Sequence, residues 1–337
     1  MRARAPECRS PALGGRSPGG RMAVRQATAI DRSARPPEDR LRPAAPVQSP
    51  RAERTAAARR AHRPGGRQGQ QEDCVLEGKK LLITGVLTDD SLAFAVAKVA
   101  QEHGAELLLT NVGKGVRLTE RVARRLPTAP DVMQMDVNNP DDIAAVADSV
   151  RQRWGRLDGV LHSIGFAPQD ALGGNFLNTP WESVAVAFQT SAYSLKALSV
   201  GLLEPLKVAG ADGGASVVAL TFDGRFAWPI YDWMGVAKAG LESITRYLAR
   251  DLGPSNIRVN TVSAGPIRTM AGKSIPGFDE IAGGWLNRSP LPWSLTDATP
   301  VGQMCAFLLS PLASMTTGEL IHVDGGYHAM GTDIRVE

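Results

Sequence analysis

The chain has little cysteine: Cys8, Cys74 and Cys305 are all that 337 residues contain. Three scattered thiols make neither a disulfide framework nor a metal-ligand spacing, so no metal site is expected. Their scarcity suits a reducing, cytoplasmic setting. Long apolar runs are missing too. Nothing approaches the ~18 residues of a membrane-spanning helix, and we expect no membrane partner. The Arg-rich start has no apolar segment behind it, which excludes a secretory signal. Lysine is absent from residues 1–73, where 16 Arg stand against 7 acids, a balance of +9. Residues 74–337, with 22 basic and 27 acidic side chains, carry −5 of the overall +4. The basic total therefore says nothing about the folded part, and no nucleic-acid partner is expected for it.

Large apolar side chains are also scarce at the start ("MRARAPECRSPALGGRSPGGRMAVRQ"). Such a segment buries too little surface to offset the entropy of ordering it, so residues 1–74 are expected to be a disordered extension. It reads as an Arg-rich arm, as a transit peptide or, most simply, as a product of start placement. In the last case translation begins near Val75 or Met22, because arginine without lysine is what GC-rich codons give unselected.

From Leu76 the texture changes. "KKLLITG" (79–85) is a short apolar run ended by glycine, a buried strand and its turn. "SLAFAVAKVAQEHGA" follows with Ala93, Val96, Ala97 and Ala100 on one helical face, closed by Gly104. Strands are expected at 105–111, 131–137, 157–165, 213–222, 256–265 and 319–326. Helices are expected at 115–126, 140–154, through 180–209, up to Asp251 and at 297–310. Strands alternating with helices predict an α/β fold: one doubly wound, parallel, seven-stranded Rossmann-type sheet over 75–330, with a tail at 331–337.

Two further absences bear on function. The first strand–helix loop, "TGVLTDDSLAFAVA" (84–97), keeps Gly85 but lacks the later glycines of a dinucleotide fingerprint. Ser91 can still cap the helix, leaving the N–H groups around Ser91 and Leu92 to face a pyrophosphate. Asp136 and Val137 end the third strand, where a carboxylate could accept from an adenine amino group. "HSIG" ends the fourth, with Ser163, Ile164 and Gly165 allowing close approach of a ribose. "TNVGKG" has no acid for a ribose 2′-hydroxyl, although Lys114 and Arg117 are near, so charge leaves NADH against NADPH open. Also absent is any Tyr and Lys with three residues between them. Instead Tyr231 and Lys238, in "FDGRFAWPIYDWMGVAKAG", have six. Inside one helix that spacing would separate them by roughly 10.5 Å. They can face one pocket only if Tyr231 lies at the helix entry.

"TGVLTDDSLAF", "HSIGFAPQDALGG", "SAYSLKAL", "FDGRFAWPIYDWMGVAKAGLES", "RVNTVSAGPIRTMA" and "TTGELIHVDGG" together resemble enoyl-[acyl-carrier-protein] reductases, the divergent short-chain dehydrogenases of type II fatty-acid synthesis. The resemblance covers about 76–330 and is closest to actinobacterial, mycobacterial-like members. It implies NADH as cofactor, an enoyl thioester on acyl-carrier protein or CoA as substrate, and a homotetramer. Tyr231 would then stabilise an enolate, Lys238 would hold the nicotinamide ribose, and Phe222 would wall the pocket without donating a proton. Gly265, Pro266, Ile267 and Thr269 would border the cofactor, and Ala167 would touch the acyl group. The Gly- and Pro-rich stretch 270–290 would be a mobile lid, and the apolar 183–206 a subunit contact. His162 and His322 are read as packing or polar-tip residues, since nothing supplies further metal ligands beside them. The rival readings are a carbonyl or alcohol dehydrogenase, and a redox-sensing regulator that needs neither Tyr231 nor Lys238.

Overall fold

The structure, a computed structural model, describes residues 74–273 and 275–334; the expected extension over 1–74, apart from Cys74, and the last three positions lie outside them. Each buried apolar run of the sequence becomes a strand: β1 Lys80–Thr84, β2 Glu106–Asn111, β3 Asp131–Gln134, β4 Gly159–His162, β5 Ala215–Thr221, β6 Ile257–Ala264 and β7 Leu320–Val323. All pair in parallel, in the order β3-β2-β1-β4-β5-β6-β7. The helices are α1 Leu92–Glu102, α2 Lys114–Ala123, α3 Pro140–Trp154, α4 Trp181–Phe188, α5 Ser194–Gly201, α6 Leu203–Ala211, α7 Asp232–Leu252, α8 Met270–Lys273, α9 Phe278–Arg288 and α10 Thr299–Leu309.

Alternation along the strands divides the core between two faces. Leu81 and Ile83 point to a layer with Val96 and Ala97 of α1 and with Val301 and Leu308 of α10. Leu82, between them, points the other way, to Val146 of α3, Leu195 of α5, Leu206 of α6 and Leu241 of α7. Each such leucine contributes roughly 1.5–3 kcal/mol by leaving water. A one-residue slip of β1 would exchange the two layers, so the register Leu82↔Leu108 and Leu82↔Val160 is strongly specified.

Two expected segments differ. The helical stretch 180–209 is broken: α4 passes into a π-helical turn, Gln189–Tyr193, before α5 and α6. The stretch 270–290, expected as a mobile lid with no helix assigned to it, carries α8 and α9, the latter anchored by buried Ala282 and Trp285. No helix among the described residues is long and apolar enough to cross a membrane.

The strand order reverses between β1 and β4. Such a switch point opens a crevice at the carboxyl ends of the strands, where α/β sheets hold ligands.

Candidate active site

A cavity of about 990 Å³ occupies that crevice and is lined by Gly85, Ser91, Leu92, Asp136, Val137 and Ser163, among others. The same cavity is lined by Ile164, Gly165, Ala167, Phe222, Tyr231 and Lys238. Gly265, Pro266, Ile267 and Thr269 complete the set, so every sequence-predicted site residue reaches one space.

One end of the cavity is built from strand ends. Thr84 staples β1 to β4: its Oγ1 donates to Leu161 O at 2.9 Å and accepts from Ser163 N at 3.0 Å. Gly85 follows with φ +79, and a Cβ there would lie 2.0 Å from Ser163 O, so no other residue fits this crossing. Ser91 caps α1 as expected, its side chain accepting from Phe94 N at 3.2 Å. Asp136 is partly occupied, because its Oδ1 accepts from Asn138 N at 2.9 Å. Between β6 and α8, Gly265 N donates to Val323 O at 2.8 Å and Thr269 Oγ1 accepts from Gly272 N at 2.9 Å.

The other end is apolar. Tyr231 is the residue immediately before α7, which is the helix-entry position that the wide Tyr–Lys spacing demands. It is buried with Met234 and Ala237, and packs with Ala167, Leu172, Phe222 and Ile275. Phe222 meets the Tyr231 ring edge-on at 5.5 Å and is backed by Trp228 at 4.5 Å and Trp285 at 5.7 Å. Burial, assisted by the Glu242 carboxylate, pushes the Tyr231 phenol up, so it remains a protonated donor at any ordinary pH.

Lys238 is also buried, and its Nζ donates to Leu220 O at 2.9 Å. Burial brings the ammonium down to about 8, against the opposing pull of Glu242 one turn along α7. Glu242 accepts from Thr221 Oγ1 at 2.9 Å and Gly224 N at 2.8 Å, which ties β5 and the loop after it to α7. Burial raises its carboxyl despite those bonds.

Sequence reading missed several residues that shape this site. Ser191 grips the loop after β4, a methyl on Gly165 would come within 3.9 Å of its Oγ, and Lys238 Nζ would be 3.8 Å from the same methyl. His162, expected as a packing or polar-tip residue, is fully buried and bonded through Nε2 to Ser194 Oγ at 2.8 Å. Ser194 Oγ itself donates to Thr190 O at 2.7 Å, so the imidazole carries its proton on Nε2. His322 uses its polar tip: its Nε2 meets Asp223 Oδ2 at 2.9 Å, and Arg225 Nη2 reaches the same Oδ2 at 2.6 Å. Burial works to raise the Asp223 carboxyl, yet its bonds to Arg225 and His322 outweigh that and hold it near 2. No group of three or more metal-ligating side chains occurs among the described residues.

The arrangement is a cofactor-sized crevice whose far end presents one phenol and one ammonium in an apolar setting. Comparison with known proteins gives the family. Residues 85–328 match the family described as enoyl-(acyl carrier protein) reductase. The chain is 42% identical to the enoyl-[acyl-carrier-protein] reductase [NADH] of Mycolicibacterium smegmatis, over 75% of this chain and 97% of that protein. It is 41% identical to the enoyl-[acyl-carrier-protein] reductase [NADH] FabI of Neisseria meningitidis, over 77% and 98%. It is 40% identical to a Staphylococcus aureus relative named as an [NADPH] enzyme, over 76% and 98%.

Proposed function

The chain belongs to the enoyl-[acyl-carrier-protein] reductase family, and from that premise we propose that it reduces the trans-2 double bond of enoyl thioesters in type II fatty-acid synthesis. The observation that carries this reading is the placement of Tyr231: at the entry of α7, buried, and facing the cavity that Lys238 also lines. NADH is the cofactor we assign, with NADPH left open, since a relative of each name is about equally similar. Bound there, it supplies the hydride for the β-carbon.

The residues divide the remaining work. Gly85, with no Cβ to fill the crossing, and the Ser91-capped start of α1 form an anion cradle for the pyrophosphate. Asp136 and Val137 flank the adenine, and Ser163, Ile164 and Gly165 the adenosine ribose. The loop Gly265–Thr269 borders the nicotinamide end. Lys238 holds the nicotinamide ribose hydroxyls through its charge. As the conjugated acyl group is reduced, negative charge develops on the thioester oxygen. The Tyr231 hydroxyl donates to it, in an apolar pocket where such a bond is worth more than in water. Phe222 closes the pocket beside that hydroxyl and has no proton to give. Ala167 contacts the acyl group, and the apolar side chains of Leu172, Met234, Ile275 and Phe278 receive its tail.

We assign residues 75–330 to this one reductase domain, acting in the cytoplasm on a thioester of acyl-carrier protein or CoA. The exposed apolar side chains of Trp181, Val186, Phe188, Tyr193 and Val200 favour subunit contacts and the expected homotetramer, which light scattering of the purified protein would test. The reaction is tested by NADH oxidation with crotonyl and longer enoyl thioesters. Tyr231→Phe is expected to lose turnover and keep NADH binding. Reduction of simple ketones, with every enoyl thioester untouched, would instead favour the carbonyl dehydrogenase reading.

A further inference from the structure

Tyr231 sits between two residues in the left-handed region: Ile230 at φ 58 and Asp232 at φ 43. For a β-branched residue this conformation is a genuine outlier. Strained backbone of this kind persists only where its surroundings over-determine it. Here they do so from one short loop. Gly173 N donates to Ile230 O at 2.9 Å, while Gly174 N and Asn175 N donate to Asp232 Oδ2 at 2.6 and 3.0 Å. Three successive amides thus hold both flanks of the tyrosine. On the far side the Ile230 side chain fills the place of a side chain at Gly277, just before α9, since a Cβ there would fall 2.0 Å from Ile230 Cδ1.

We propose that Asp232 is a positioning residue: its carboxylate, clasped by the 174–175 amides, locks the left-handed turn that aims the Tyr231 hydroxyl at the substrate. The proposal rests on the reading of Tyr231 as the oxyanion donor. A plain first-turn acid would favour the start of α7 by charge alone, and would need neither distant amides nor a left-handed backbone. The two roles separate by chemistry. An amide oxygen can accept the same two hydrogen bonds without the charge, and asparagine tolerates the left-handed region. Glycine adopts the turn freely but offers no acceptor.

The experiment uses the full chain as wild type, Asp232→Asn and Asp232→Gly. It reads kcat and KM with crotonyl thioester, the NADH Kd by fluorescence, and amide hydrogen exchange at Gly174 and Asn175. Asp232→Gly is expected to lose at least about tenfold in kcat, as a misaimed catalytic group does, with the NADH Kd within about twofold of wild type. Exchange at the two amides should quicken by about tenfold or more as their acceptor is removed. Asp232→Asn should stay within about threefold of wild type in all three readouts. Wild-type kcat in Asp232→Gly, or unchanged exchange there, overturns the clasp. Asn as damaged as Gly assigns the residue to helix charge instead, and overturns it equally. If wild type turns over no enoyl thioester at all, the proposed reaction fails by itself, and the exchange rates still decide whether the clasp exists.

Discussion

Ser191 closes a ring with the backbone of Phe166: its Oγ accepts from Phe166 N at 2.8 Å and donates to Phe166 O at 2.8 Å. Both bonds come from the π-helical turn, Gln189–Tyr193, which presents Ser191 to the loop after β4. One fully buried hydroxyl therefore sets the loop that carries Gly165 and Ala167 along the cavity. Ser191→Ala leaves an amide and a carbonyl without a partner, and should cost about 1–3 kcal/mol of stability. Loosening Gly165 and Ala167 together should raise KM for both NADH and the enoyl thioester, by roughly tenfold each. Chemical denaturation and initial-rate kinetics on one preparation check both effects.

Gly85→Ala addresses the crossing of β1 and β4. The added methyl would meet backbone, Ser163 O at 2.0 Å, at a φ of +79 that alanine resists. Since neither strand end can give way without opening the sheet, NADH affinity should fall by at least about tenfold and the melting temperature should drop. Fluorescence titration and thermal melts measure the two.

Lys238 makes the pH profile asymmetric. Its ammonium, brought down by burial to about 8 from 10.5, is charged below that pH and neutral above it. Cofactor affinity should therefore weaken as pH climbs past about 8, giving kcat/KM an alkaline limb. Stability runs the other way. Between about 8 and 10.5 the unfolded chain holds a proton that the folded one has released, so this group makes unfolding harder as pH rises through that window. Lys238→Met should abolish both dependences.

His162 governs the acid side. Burial beside the Lys238 charge holds its imidazole neutral down to about 3, against 6.5 when exposed. Below 6.5 the unfolded chain binds a proton that the folded chain refuses, so stability falls as pH drops toward 3. The slope from this residue is at most about 1.4 kcal/mol per pH unit. His162→Gln keeps a donor for Ser194 and should flatten the decline, as denaturant titrations at pH 7, 6, 5 and 4 would reveal.

Much of this architecture was legible because parallel strands buried on both faces read as short apolar runs. Helix α1 could be drawn from Ala93, Val96, Ala97 and Ala100, all of them buried. The spacing tied the entry position of Tyr231 to its pairing with Lys238, since a lysine seven residues on cannot serve the same pocket from within one helix, and the structure places Tyr231 at that entry. The π-turn was not legible: one residue inserted into a helix changes the ladder without changing the composition. Nor was the left-handed pair around Tyr231, because isoleucine argues against that conformation and only the amides of Gly173–Asn175 make it tenable. The Asp223–His322 pair joins residues 99 positions apart, and only the adjacency of β5, β6 and β7 brings them together. Helices α8 and α9 were obscured by Gly277 and Pro276, which suggested loop where they in fact punctuate two helices.

Because the Ile230 side chain occupies the place that a side chain at Gly277 would take, a shift of α9 would change the packing of the residue that precedes the phenol. An acyl tail that wedges beneath α9 would therefore disturb the aim of Tyr231 as it enters. Chain length would then register in the speed of each catalytic cycle as well as in how firmly the thioester is held.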